Sequence, residues 1–138
     1  MLRWLMLAGL IGALAPSAAE AQSGLLTKAT KLPPITLSSG QPFAEKPYEL
    51  ESGKYYRLEI HCDGSDELAI GGAEFFRNVW INEVIINDIE VRPLGLDSIE
   101  FDAEGTAEIT FIPIRPGTFV LRQPGTNSET QSATFNVK

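Results

Sequence analysis

Sulfur and imidazole are nearly missing from this sequence. Of 138 residues, one is cysteine (Cys62), one is histidine (His61) and two are methionine, the last two at positions 1 and 6. A lone cysteine cannot form an internal disulfide, so the fold must stand on its apolar core. Basic residues are also scarce, with 11 Lys plus Arg against 18 Asp plus Glu, a net charge of −7 and no basic block. Nucleic acid is thereby excluded as a partner, because phosphate binding needs clustered Lys and Arg. An anionic membrane surface would repel such a chain. No G-x-S-x-G, H-E-x-x-H or phosphate loop is present, and nothing around His61 suggests a nucleophile. The expectation is that the chain is not an enzyme.

Long apolar runs are missing too, with one exception at the start. Arg3 precedes the twelve-residue stretch Trp4 to Ala15, and small residues then lead to an A-x-A ending at Ala21. Twelve residues are too few to span a bilayer, which takes about 20. The pattern is that of a cleaved signal peptide over 1–21, which places the mature chain in the periplasm or outside the cell with no membrane insertion. Residues 22–34, ending in Pro33-Pro34, read as a leader, and residues 35–138 as one domain.

Within that domain, short alternating runs are separated by turn residues, the mark of an all-β sandwich or barrel. Tyr56, Leu58, Ile60 and Cys62 share one face of a strand, with Arg57, Glu59 and His61 on the other. Phe75 to Val91 holds one strand and a second short one. Further strands are expected at 98–102, 107–112, 119–123 and 133–137. Seven or eight strands and no convincing amphipathic helix give a single β-sandwich.

The stretch Pro116 to Lys138, opening P-G-T-F, resembles the last two strands and ligand loop of the cupredoxins, the blue-copper β-sandwiches. Ala73-Glu74-Phe75-Phe76-Arg77-Asn78 is similar to the family motif that carries the upstream histidine. The resemblance covers about Ile35 to Lys138 and implies a Greek-key sandwich. It also implies former copper-ligand positions at Arg77, Gln123, Thr126 and Gln131, none of which binds copper. A type 1 site needs two imidazoles and a thiolate. His61 and Cys62 are neighbours on a strand and point to opposite faces. Type 1 copper is therefore excluded, electron transfer becomes the weakest of the functional readings, and no cofactor is expected.

Two readings remain open for the polar set. Arg77, Gln123, Thr126 and Gln131 either form a hydrogen-bonded plug, or leave Arg77 free for a small anionic ligand, a carboxylate or phosphate. Asp63, Asp66, Glu67 and Glu74 are either a solvated acidic loop or ligands for a hard divalent or trivalent cation, as in the iron-uptake modules they loosely resemble. A second acidic run, Asp97 to Glu108, reads as exposed surface. Phe76 and Trp80 are candidates for contact with a periplasmic protein partner. The functional expectation is an exported, non-catalytic cupredoxin-like binding or accessory protein. A carboxylate-based metal carrier or sensor is the alternative.

Overall fold

The computed structural model describes residues 28–138; the stretch read as a signal peptide and the first residues read as leader lie outside them. The described chain forms eleven strands and one helical turn. These are β1 (Thr30–Lys31), β2 (Ile35–Leu37), β3 (Tyr48–Leu50), β4 (Tyr56–Cys62), β5 (Leu68–Gly71), α1 (Ala73–Phe76), β6 (Val79–Ile86), β7 (Ile89–Val91), β8 (Ser98–Phe101), β9 (Gly105–Pro113), β10 (Gly117–Arg122) and β11 (Ser132–Val137). Two sheets face each other. One runs β1-β4-β9-β6-β7, with β2 also paired to β4, and the other runs β3-β11-β10-β5-β8. The all-β sandwich expected from the alternation is what forms.

Its strands outnumber the seven or eight expected, and the local chemistry explains why. β1 and β2 pair with β4 in parallel at Tyr56–Arg57 and Ile60–Cys62, so they are one edge strand cut at Pro33-Pro34. Proline has no N–H to give to a ladder. The residues read as leader thus enter the sandwich at Thr30. Leu32 is buried, and Tyr48 Oη donates to the Pro33 carbonyl at 3.0 Å. β5 escaped detection because all four of its residues are buried, so Leu68 to Gly71 carries no alternation.

The core lies between the sheets and is tied by aromatic rings. Phe75, from α1, sits 4.5 Å from Phe135 of β11 and 5.4 Å from Phe111 of β9 (centroid to centroid). Tyr48 stacks on Phe135 at 4.8 Å, and Tyr56 lies 5.9 Å from Phe111. Cys62 is fully buried in the same core and His61 faces the outer side, as the strand phase predicts. Phe75→Ala removes a fully buried ring that packs on aromatic rings of both sheets. It is expected to cost about 3–5 kcal/mol of unfolding free energy, measured by urea denaturation followed by tryptophan fluorescence.

Candidate functional site

The β10–β11 loop, residues 123–131, is organised by its own side chains. β10 ends at Arg122, just before Gln123 and Pro124. The Gln123 N–H still donates to the Gln131 carbonyl at 3.1 Å, while its side-chain Oε1 accepts from the Ala69 N–H of β5 at 2.9 Å. Regular β5–β10 pairing reaches only the Arg122–Gly71 step. The Gln123 amide therefore adds one more hydrogen bond between the two strands where the backbone of β10 has turned away. Pro124-Gly125 makes the turn, with Gly125 at φ 76, a conformation that favours glycine. Thr126 Oγ1 donates to the Gln123 carbonyl at 3.1 Å, and the Gln131 N–H donates to Ser128 Oγ at 3.2 Å.

Arg77 does not join them. It follows α1 and is exposed, and its neighbour Asn78 accepts from the Ile114 N–H at 3.0 Å, ahead of the start of β10. Gln123 follows the end of β10. Six strand residues separate these points, about 20 Å at the rise of a β-strand. The expected grouping of Arg77 with Gln123, Thr126 and Gln131 is thus corrected. The cause is α1, which carries the chain along β10 before β6 begins. Phe76 is also corrected as a surface residue, since it is buried against Phe75 with ring centroids 5.4 Å apart. Trp80 is outward and 44% exposed. Its cross-strand partner is Ile112, and Ile114, which is exposed, continues the same face.

The acidic residues divide differently from the expectation. Asp63 and Asp66 turn their carboxylates onto local backbone, accepting from the N–H of Ser65 at 2.9 Å and of Glu67 at 3.0 Å. Hydrogen bonds from Ser38 and Ser65 hold the Asp63 carboxyl down at about 2. Glu74 is exposed on α1. Only Glu67 meets other carboxylates, and these come from the run read as plain surface. Leu68 pairs with Phe101, so Glu67, Glu100 and Asp102 share the outer side of β5–β8, with one ligand oxygen from each lying within 4.8 Å of the others. The set expected as one metal site, Asp63, Asp66, Glu67 and Glu74, is not brought together. The pairing of β5 with β8 across three intervening elements left no local signal by which Glu100 and Asp102 could be found.

No family model matches the chain, and no curated protein does. Solved structures match its fold at low identity. A structure of Lac15 from a marine microbial metagenome is 19% identical over 98% of this chain and 32% of its own, with a TM-score of 0.57. A Campylobacter jejuni multicopper oxidase, described as a metallo-oxidase, is 8% identical over 81% of this chain and 31% of its own, TM-score 0.56. The copper nitrite reductase of Nitrosomonas europaea is 15% identical over 69% and 33%, TM-score 0.54. The fold is that of a cupredoxin-like domain, and the chain spans about a third of the length of these structures. They also correct the expectation that the chain is not an enzyme: the proteins sharing its fold are oxidases and a reductase, matched at the level of one domain.

The residues present do not fit the type 1 copper that such a fold can hold. His61 Nδ1 and Thr106 Oγ1 share a hydrogen bond of 3.1 Å on the outer face, while Cys62 is sealed in the core on the opposite face. The β10–β11 loop has no His, Cys or Met to add.

Two outcomes follow from this geometry. Gln123→Leu leaves the Ala69 N–H without its acceptor and is expected to cost about 1–3 kcal/mol, read from urea denaturation. Asp63 has a folded value below its ordinary 3.8. Its contribution is therefore fully present above pH 3.8 and lost as pH falls towards about 2. Asp63→Asn should lower the melting temperature near neutral pH and flatten its fall on acidification, the two proteins converging at the acid end. Equal slopes in scanning calorimetry would refute this role of Asp63.

Proposed function

We propose that this chain is an exported cupredoxin-like binding unit that serves a copper-oxidase type of assembly without carrying type 1 copper itself. The observation that carries the reading is the face around Trp80. On an outer sheet surface otherwise laced by ion pairs such as Arg57–Glu108 (3.3 Å) and Arg92–Glu83 (3.1 Å), Trp80, Ile112 and Ile114 form an apolar patch. An apolar patch of this kind marks a contact site on a soluble domain. The match to about a third of each of these longer structures supports a unit that acts beside further domains or partners. The partner class is a periplasmic or secreted protein of the oxidase kind.

A test uses chemical cross-linking in the native host followed by purification of the exported chain. Wild type is expected to bring down a cross-linked copper protein, and Trp80→Ala to lose most of it. A wild-type chain that recovers no copper protein refutes the reading.

A second reading, a carrier or sensor of a hard cation, is favoured by one observation, the convergence of Glu67, Glu100 and Asp102. Oxygen ligands suit hard cations. Calorimetric titration with Ca²⁺ and with Tb³⁺ should then show one site on the wild type that Glu100→Gln with Asp102→Asn abolishes. No heat of binding from the wild type refutes it.

A further inference from the structure

Among the described residues β7 is a free edge of the β1-β4-β9-β6-β7 sheet, and its chemistry is self-complementary. β6 and β7 are joined by the two-residue turn Asn87-Asp88, both at positive φ (48 and 65), the type I′ geometry that suits a hairpin. Ile86 and Ile89 flank this turn and are cross-strand partners. They form the hydrogen-bonded pair that closes such a hairpin, and alternation makes Val84 and Val91 the next one. The N–H and C=O groups of Glu90, between them, and of Arg92 therefore point away from β6 to the open edge.

The side chains sort by face. Val91 lies opposite the buried Val84, so Val91, Ile86 and Ile89 all belong to the core-side face of the sheet. The second sheet does not reach them. Ile86 is 40% exposed, Val91 46% and Ile89 64%, and Leu94 beyond them is fully exposed. On the other face stand Glu90 and Arg92. Arg92 is held by Glu83 at 3.1 Å and by the Asn82 amide oxygen at 3.4 Å, and it lies 3.2 Å from Glu90.

We infer that β7 pairs with the β7 of a second copy, antiparallel about a two-fold axis at Val91. In that register Glu90 faces Arg92 of the other copy, twice. Each such pair presents the N–H and C=O groups that the hairpin leaves unused. Val91 meets its own symmetry mate, and the uncovered row of Ile86, Ile89 and Val91 continues into the same row of the second chain. A two-fold contact of this kind is isologous, so every group that needs a partner finds one in the same patch.

The other free edges lack this property. The β1–β2 edge is cut by Pro33-Pro34, the exposed side chain of β3 is Glu49, and β8 carries Glu100 beside Glu67 and Asp102. A two-fold about β3 or β8 would set carboxylates against one another, which is how natural edges are kept apart. Pro33-Pro34 and those carboxylates protect three edges, whereas Glu90 and Arg92 invite a partner of the same sequence at the fourth.

The test is sedimentation velocity of the chain as recovered after export, over a wide concentration range. Wild type is expected to show a concentration-dependent dimer. Glu90→Arg alone and Arg92→Glu alone should each sediment as monomers, and an equimolar mixture of the two should regain the dimer, because the reversed charges then meet across the axis. A second variant is independent of the charges. Val91→Cys introduces an exposed thiol in a chain whose own Cys62 is sealed. It is expected to form a disulfide dimer under mild oxidation, while Ile114→Cys, at a position more exposed than Val91 (60% against 46%) but off the edge, stays monomeric. A wild type that remains monomeric throughout, or a Val91→Cys chain that cross-links no better than Ile114→Cys, overturns the inference.

Discussion

The packing of Phe75 between the two sheets fixes how the chain passes from one to the other. Phe75 touches Phe135 in one sheet and Phe111 in the other, and with no disulfide to help, the halves of the sandwich are joined by the apolar core in which that ring sits. Its position depends on a close approach of backbones. At Gly72 a Cβ would fall 2.4 Å from the Val120 carbonyl oxygen, so only glycine lets the chain descend onto β10 at that point. Everything after it follows. α1 advances along β10, Asn78 meets Ile114, and β6 begins beside Pro113.

That geometry separates what the linear motif had put together. Read as a string, Phe75-Phe76-Arg77-Asn78 resembles a metal-ligand motif; folded, its two aromatic side chains are core and its arginine is solvent-exposed at the far end of β10. The alternating strands β4, β9, β10 and β11 were legible because period-two burial writes itself into the sequence. His61 was placed on the correct face for the same reason. β5 was not legible, since a strand buried on both faces has no period, and with it went the Glu67–Glu100–Asp102 convergence. Convergence between distant strands is a property of topology, and no window of local sequence contains it.

The polar residues of the β10–β11 loop show how a sandwich end can be closed by hydrogen bonds alone. Gln123 ties both sides of β10, its backbone to Gln131 just before β11 and its side chain to β5, and Thr126 and Ser128 bond the loop's own backbone. Among the described residues no buried side-chain polar atom is left without a partner. Such an end resists the cost of stranded donors and acceptors, which is the main penalty for putting amides where apolar groups could stand. A fold shared with copper oxidases therefore comes here with a different local chemistry, and likeness of fold does not transfer the chemistry of a site.

The outer surfaces carry the remaining asymmetry. Over β4 and β9, and again beside β7, outward residues are paired by charge: Lys31 with Glu59, Arg57 with Glu108, Arg92 with Glu83. Exposed pairs of this kind contribute little to stability, about 0–1 kcal/mol each. Their larger effect is to make most of the face indifferent to apolar partners. Against that background two apolar areas stand out for different physical reasons. Trp80 with Ile112 and Ile114 lies on a face that solvent would claim in any arrangement of the sheets. The row of Ile86, Ile89 and Val91 lies on a face that the second sheet would have covered, had it been one strand wider. The first is a surface with apolar residues on it, and the second is a piece of core left open. A row left open at a sheet edge gains neighbours when a further strand carrying the same row pairs beside it, which is why the hairpin edge, rather than the tryptophan patch, carries the demands of strand pairing.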